Sequence, residues 1–219
     1  MDSEKFTFKD FKHLSKDYLN VDTFPKGFAL IKTDSNVLIS APHGVVQTQL
    51  GRHKVAEIGS ARTALYLANA TNSNLIIKTK NLFDNANFDV NCPYRQEIAN
   101  LIKISKIQFL LDLHGLAKNR ECDINLGINY GENIKSNQKL FDKIVLVFKK
   151  AGFMVSIDRP FSGSFKTISG TFAREYNIFT IQIEINCGIT NYEANFRKLK
   201  KLLCAFTDCI NILKNSKLN

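Results

Sequence analysis

The stretch Ile107-Gln108-Phe109-Leu110-Leu111-Asp112-Leu113-His114-Gly115 is an apolar run that ends in an acid, a histidine and a glycine. Apolar runs of this length are typical of strands that are buried on both faces, as in the open sheet of an α/β protein. In such sheets, ligands bind beyond the carboxyl ends of the strands. We therefore predict a strand here whose end, with Asp112 and His114, lies at a ligand-binding edge.

Two further apolar runs end in the same way. Asn36-Val37-Leu38-Ile39-Ser40 leads into Ala41-Pro42-His43-Gly44, and residues 178–186 carry Glu184 close to the end of the run. Neutral imidazole is the commonest metal ligand in proteins, and catalytic zinc usually takes three protein ligands and a water. Two histidines and a glutamate at three strand ends therefore predict a metal site with an acid/base group beside it.

The third metal ligand has two candidates. Glu57 lies fourteen positions after His43, early on a helix predicted for residues 54–70, so it could reach back to the metal. Asp112 shares a strand face with His114 because side chains alternate with period 2. We predict Glu57 as the ligand and Asp112 as a carboxylate that orients an imidazole, with Asp112 the next candidate ligand.

The strand around Glu184 carries polar side chains on one face only. Gln182, Glu184 and Asn186 point one way, while the alternating isoleucines point the other. Three polar groups on one face of an apolar strand are costly unless they line a site or pair with each other. Glu184 is therefore predicted as the general base and acid, which takes a proton from a zinc-bound water and passes it to the leaving amine.

The alternation of strand and helix patterns predicts one α/β domain over residues 1–219, with residues 1–25 as an extension packed on it. Residues 28–32 and 37–40 are predicted to form a hairpin. The last helix is predicted to begin at the capping-box pattern Thr190-Asn191-Tyr192-Glu193. The helix over residues 54–70 is expected to bury a face that includes Val55, Ile58, Leu65 and Leu67.

Composition limits the cellular setting and the partners. The chain has 219 residues, and 30 Lys+Arg against 20 Asp+Glu give a formal charge of +10, which suits an anionic substrate. The lysines are scattered and no nucleic-acid-binding motif appears, so nucleic acid is not the expected partner. Five cysteines without a CxxC pair predict reduced thiols and a cytoplasmic protein. No apolar stretch approaches the roughly 20 residues of a membrane span.

Four motifs together resemble the N-formylglutamate amidohydrolase family. They occur in the family's order and cover about residues 36–190 of this chain. The motifs are Ser40-Ala41-Pro42-His43-Gly44, Leu111-Asp112-Leu113-His114-Gly115, Pro160-Phe161-Ser162-Gly163-Ser164 and Gln182-Ile183-Glu184-Ile185-Asn186.

The resemblance implies a fold similar to the zinc carboxypeptidases and aspartoacylases: a single three-layer α/β/α domain with a mixed, mostly parallel central sheet, phosphorylase/hydrolase-like. It implies a zinc-dependent hydrolase of an amide bond next to a carboxylate, with His43 and His114 as ligands and Glu184 as the catalytic carboxylate. The chain departs from the family in three ways. Val46 stands where the HxxE pair of carboxypeptidases has its glutamate, Gly163-Ser164 replaces paired glycines, and the chain is short.

An acyl-amino-acid substrate needs a cationic anchor for its carboxylate, and the planar fork of arginine suits that role. Arg95 follows a loop that could face the site, and Asn91 with Arg95 resembles the Asn/Arg substrate-binding region of the carboxypeptidase relatives. We predict these two residues as substrate-binding groups. Arg52, Arg159 and Arg174 are the alternatives.

The sequence thus predicts a zinc-dependent amidohydrolase of a small N-acylated amino acid. Two other functions stay open. The first is a zinc carboxypeptidase or deacylase that acts on a peptide, a polyglutamate or a cell-wall fragment. The second is a non-catalytic binding protein of the same fold, attached to nucleic acid through its positive charge.

Overall fold

The computed structural model describes residues 6–218, so residues 1–5 of the predicted N-terminal extension lie outside the described residues, as does Asn219. Within residues 6–218 the strands are β1 (Phe28–Ile31), β2 (Val37–Ala41), β3 (Gln47–Gln49), β4 (Arg52–Lys54), β5 (Asn74–Lys78), β6 (Phe109–Leu116), β7 (Ile124–Gly127), β8 (Val155–Ile157) and β9 (Phe179–Asn186).

Helices alternate with the strands. They are α1 (Phe8–His13), α2 (Ile58–Thr71), α3 (Pro93–Ile104), α4 (Gln138–Lys150), α5 (Ile168–Tyr176), α6 (Cys187–Thr190) and α7 (Phe196–Lys214), with 3-10 turns at Asn129–Ile134 and Glu193–Asn195. No helix in the described part of the chain is long and apolar enough to cross a membrane.

Seven strands form one mixed sheet in the order β1-β5-β2-β6-β9-β7-β8. Four neighbouring pairs are parallel, and the β1–β5 and β9–β7 pairs are antiparallel. Helices α2, α4 and α7 pack on one face, and α3 and α5 pack on the other. The predicted fold class, a three-layer α/β domain with a mostly parallel mixed sheet, is confirmed.

The predicted hairpin of residues 28–32 and 37–40 is wrong, because β5 lies between β1 and β2. The β5 residues Leu75, Ile76 and Ile77 are fully buried, and β5 pairs with β1 along one edge and with β2 along the other. The connection from β1 to β2 passes the start of β5, where Asn74 Oδ1 accepts a hydrogen bond from the Thr33 amide at 2.8 Å. A turn-like tetrapeptide between two strands therefore does not establish that they pair.

Helix α2 begins four residues later than predicted. Residues 47–54 form the β3–β4 hairpin, whose two-residue turn is Leu50-Gly51, with φ of 51° and 73°. A tight two-residue hairpin turn requires both of its residues in the left-handed region, which explains the glycine at position 51. Val55 and Ile58 are consequently 86% and 37% exposed, so the predicted core face of this helix holds only for its later leucines.

Helix α7 begins at Phe196, so the prediction that Thr190 starts it with a capping box is wrong. Thr190 ends the short helix α6, and its hydroxyl donates to Asn191 Oδ1 at 3.2 Å. Glu193 instead opens a 3-10 turn. The apolar residues of α7 from Leu199 to Leu213 are buried and pack on the sheet.

Candidate active site

Three neighbouring strands bring the predicted site together. β2, β6 and β9 are adjacent and parallel, so their carboxyl ends meet at one edge of the sheet. His114 is in direct register with Glu184, and Asp112 is in register with Ser40 and Gln182. Partners in register point to the same side, so polar side chains form a band across one face of an otherwise apolar sheet.

His43, Glu57 and His114 converge beyond these strand ends. One ligand atom from each lies within 4.8 Å of the others, so the three side chains could hold a metal ion. His43 Nδ1 is 3.0 Å from Glu57 Oε1, His114 Nδ1 is 3.5 Å from Glu57 Oε2, and the two Nδ1 atoms are 3.3 Å apart. This is the ligand set that the sequence predicts.

A backbone hydrogen bond places Glu57 next to His43, although the two residues are fourteen positions apart in sequence. The Glu57 amide donates to the His43 carbonyl at 2.7 Å, which closes the segment that contains the β3–β4 hairpin. Glu57 Oε2 accepts a hydrogen bond from the Gly115 amide at 2.8 Å. Val46, which stands where the HxxE pair of carboxypeptidases has its glutamate, has no carboxylate to offer and is 43% exposed. The carboxylate of the cluster therefore comes from the start of α2.

The other ring nitrogens of both histidines are bound to acceptors. His114 Nε2 is 3.0 Å from Asp112 Oδ2, and His43 Nε2 is 2.9 Å from Asn85 Oδ1. The backbone N–H of Asn87 can only donate, and it donates to Asn85 Oδ1 as well. This contact fixes which end of the Asn85 side-chain amide is the oxygen. Each Nε2 atom is therefore the proton donor, and each Nδ1 atom turns its lone pair toward Glu57.

Three lone-pair-bearing atoms that face one another repel unless a cation lies between them. Burial raises the pKa of Glu57, but His43 and His114 more than offset this and lower it below its usual value. Burial lowers the pKa of His114, but Asp112 and Glu57 raise it well above its usual value. The cluster thus favours a positive charge among its donor atoms, as a metal site requires.

Asp112 is itself held by buried groups. Ser40 Oγ donates to Asp112 Oδ1 at 2.8 Å, and Ser40 Oγ is 3.1 Å from the hydroxyl of Tyr94. That hydroxyl donates to the Ile76 carbonyl and accepts from the Ala41 amide. Each hydroxyl carries one proton, so Ser40 and Tyr94 are in contact without a hydrogen bond between them. The hydrogen bonds that Asp112 accepts from Ser40 Oγ and from His114 Nε2 hold the imidazole in one orientation.

Replacing Asp112 with asparagine is expected to weaken zinc binding about 10–100-fold, because the amide cannot supply the charged acceptor for His114 Nε2. Competition with a chromophoric chelator measures the affinity. The matched control is Asp208→Asn on the exposed side of α7, which should leave the affinity unchanged. Equal zinc affinity of Asp112→Asn and the wild type would contradict the orienting role.

Asn85 is a site residue that the sequence analysis missed. It lies in the Asn/Asp-rich loop of residues 81–92, is 1% exposed, and donates to Gln49 Oε1 on the β3–β4 hairpin. Asp89 Oδ2 accepts from its backbone amide at 2.6 Å. An Asn/Asp-rich composition is typical of a loop, but only the tertiary structure shows that one of the amides in this loop supports His43.

Glu184 lies beside the cluster and is 5% exposed. Gln182 Nε2 donates to its Oε1 at 2.8 Å, and no hydrogen bond to Oε2 occurs within residues 6–218. Burial raises the pKa of Glu184 to about 7, although His114 opposes the shift. No arginine pairs with Glu184 in this part of the chain. A carboxyl group with a pKa near neutrality and one oxygen available suits a general base and acid.

Of the two predicted substrate-binding residues, Arg95 lies on α3 and Asn91 lies in the loop before it. Arg95, on α3, is 3% exposed, and its Nη2 donates to the Lys166 carbonyl at 2.9 Å and to Thr171 Oγ1 at 3.3 Å. Its Nε and Nη1 have no partner among the described residues. Asn91 is exposed, and its carbonyl accepts from Gln96 Nε2. Arg95 therefore retains buried donors for an anion.

The alternative arginines are placed differently. Arg52 and Arg159 are exposed, and Arg174 pairs with Glu175 at 3.0 Å on the surface. A hollow of about 820 Å³ lies between α4 and α7, away from the strand ends, and is bordered by the cations Lys150, Arg197, Lys200 and Lys201. None of the candidate site residues lines that hollow, so the catalytic assignment stays with the strand ends.

The fold is similar to those of zinc-peptidase-like proteins. Among solved structures, one protein of Agrobacterium tumefaciens has a TM-score of 0.64 and 11% identity, covering 91% of this chain and 99% of its own. The N-formylglutamate amidohydrolase of Ralstonia eutropha JMP134 has a TM-score of 0.59 and 15% identity, and the match covers 85% of this chain and 98% of that protein. A metallo-carboxypeptidase of Burkholderia cenocepacia has a TM-score of 0.54 and 11% identity, and the match covers 96% of this chain and 70% of that protein.

The family model of N-formylglutamate amidohydrolase matches residues 89–189. No curated protein matches the chain significantly. The family match confirms the resemblance predicted from the motifs and the prediction of an enzyme of the amidohydrolase class.

Proposed function

We propose that this chain is a zinc-dependent amidohydrolase that cleaves the amide bond of a small N-acylated amino acid in the cytoplasm. The observation that carries the proposal is the cluster at the sheet edge. His43 Nδ1, a Glu57 oxygen and His114 Nδ1 face one another, while each Nε2 atom is bound to an acceptor. Two imidazoles and one carboxylate are a donor set that zinc takes in catalytic sites.

Zinc bound by these three residues would polarise the substrate carbonyl and lower the pKa of a water to about 7. The remaining work belongs to Glu184. Its carboxylate takes one proton from the attacking water as the C–O bond forms, and it delivers that proton to the amide nitrogen as the C–N bond breaks. The products are an acid and a free amine. Gln182 holds one oxygen of Glu184, which leaves the other for the proton.

Substrate recognition rests on charge in our proposal. Arg95 Nε and Nη1, which have no partner within residues 6–218, are buried donors that suit the carboxylate of the amino-acid part, with Asn91 nearby in sequence. The overall charge of +10 favours the approach of a small anion. Neither a membrane nor nucleic acid is needed as a partner.

The test is a hydrolysis screen over N-formyl, N-acetyl and glutamyl substrates, with metal analysis of protein purified without chelator. We expect about one zinc ion per chain and cleavage of at least one N-acyl amino acid. Dialysis against a chelator should abolish turnover, and added zinc should restore it. A protein that neither contains nor binds zinc would refute the proposal, and preferential cleavage of peptides or polyglutamate would shift it to the carboxypeptidase alternative.

A further inference from the structure

A hollow of about 320 Å³ opens beside Glu57, one of the three candidate metal ligands, on the side of α2 and α6. This volume lies at the lower end of the roughly 300–1,000 Å³ that small-molecule sites occupy. Glu57 borders the hollow directly. The other bordering residues come from the start of α2, the end of β6 and α6, and they include Val55, Ala56, Ser60, Ala117, Thr190 and Asn191.

The walls of this hollow are mainly apolar. Val55, Ala56 and Ala117 supply aliphatic surface, and Val55 is 86% exposed although its side chain is apolar. The two hydroxyl groups are already used. Ser60 Oγ donates to the Glu57 carbonyl, and Thr190 Oγ1 donates to Asn191 Oδ1. The hollow therefore offers few unpaired donors to a polar ligand group.

The charge of the hollow excludes an anion. No lysine or arginine is among the described residues that border it, and Glu57 contributes a carboxylate. A second carboxylate placed there would meet a like charge without a compensating cation. Arg95, the buried arginine with unpartnered donors, belongs to α3, which packs on the opposite face of the sheet. The two sides of the site thus differ in the group that they can accept.

We propose that the hollow is an acyl subsite, so that the substrate lies with its uncharged acyl chain toward α2 and α6 and its carboxylate toward α3 and α5. The protein should prefer short aliphatic acyl groups, such as butyryl or hexanoyl, to the formyl group. A formyl group has no carbon chain with which to cover the aliphatic wall, whereas each added methylene buries apolar surface. This inference rests on the proposed amidohydrolase function.

The experiment compares kcat/KM of the zinc-loaded full chain for N-formyl-, N-acetyl-, N-butyryl- and N-hexanoyl-L-glutamate. We expect kcat/KM to rise roughly 2- to 4-fold per methylene until the hollow is filled. Ala117→Phe should fill the hollow. It should lower kcat/KM for the hexanoyl substrate at least about 10-fold, with a change within about 2-fold for the formyl substrate.

The matched control is Ala70→Phe, which adds the same ring to an exposed position at the far end of α2 and should change neither value. If Ala117→Phe lowers the melting temperature, Ala56→Leu fills the same hollow from another wall. Flat or falling kcat/KM from formyl to hexanoyl, with equal losses on all substrates in the filled variants, would overturn the subsite alone. Failure to cleave any N-acyl amino acid, formyl included, would instead overturn the proposed function.

Discussion

Glu184→Gln is expected to lower kcat by about 10²–10⁴-fold while zinc stays bound, which is the usual effect of removing a positioned general acid/base. Glutamine keeps the shape of the side chain and an oxygen that can accept from Gln182 Nε2, as Glu184 Oε1 does at 2.8 Å. It removes the group that accepts the proton of water. Turnover should therefore fall without a change in the metal ligands.

The stability of this variant separates catalysis from a structural role. If Glu184 paired with a buried arginine, its loss would leave a charge unpaired and cost about 3–5 kcal/mol. The described residues show no such arginine, and burial raises the pKa of this carboxyl to about 7, which means that its charge is unfavourable there. A neutral amide should consequently leave the melting temperature unchanged or raise it.

Three measurements on Glu184→Gln are needed: bound zinc, melting temperature and turnover. Glu132→Gln, at an exposed position, is the matched control and should behave as the wild type. Because Glu184 acts only when ionised, kcat/KM of the wild type should rise with pH through an acidic limb at or below pH 7, since bound zinc lowers the pKa. A variant with full turnover, zinc and stability would show that Glu184 is not the catalytic carboxylate.

Glu57→Gln is expected to weaken zinc binding by at least roughly 100-fold, because even the partners of metal ligands are worth 10–100-fold. The variant removes the only negative charge among the three candidate ligands, His43, Glu57 and His114. The amide oxygen can still accept from the Gly115 amide, so the fold should persist.

Zinc titration and thermal melting test this expectation together. At a fixed zinc concentration, a 100-fold weaker site loses about 2.7 kcal/mol of metal-induced stabilisation. The zinc-induced rise in melting temperature should therefore shrink in Glu57→Gln and stay intact in Glu121→Gln, an exposed control. Unchanged zinc affinity would remove Glu57 from the ligand set. Asp112 would then be the next candidate, although its oxygens bind Ser40 and His114 Nε2.

Much of the candidate site could be predicted because strand-end chemistry is local in sequence. An apolar run followed by a histidine and a glycine marks a buried strand and its carboxyl end within a few residues, as at His43 and His114. Parallel neighbours then bring such ends to one edge of the sheet. The α/β class follows from the same alternation of apolar runs and helical patterns.

Other features depend on contacts between residues far apart in the chain. Asn85 supports His43 from 42 positions away, and nothing in the Asn/Asp-rich loop distinguishes it from its neighbours. The insertion of β5 between β1 and β2 depends on pairing with residues about 40 positions away, which a turn pattern between residues 32 and 37 does not report. Thr190 belongs to α6 and α7 begins only at Phe196, which the capping-box pattern does not report.

The strand ends, the two histidines and the position of Glu184 could be predicted from periodicity and residue type, which can be read from the sequence. The register of His114 with Glu184, the return of Glu57 across the β3–β4 hairpin and the apolar hollow beside it come from tertiary packing alone. The physical reason is that a cluster of metal ligands and a substrate pocket both depend on the distances between side chains that are far apart in sequence. Those distances are set by which strands become neighbours and which helix covers them.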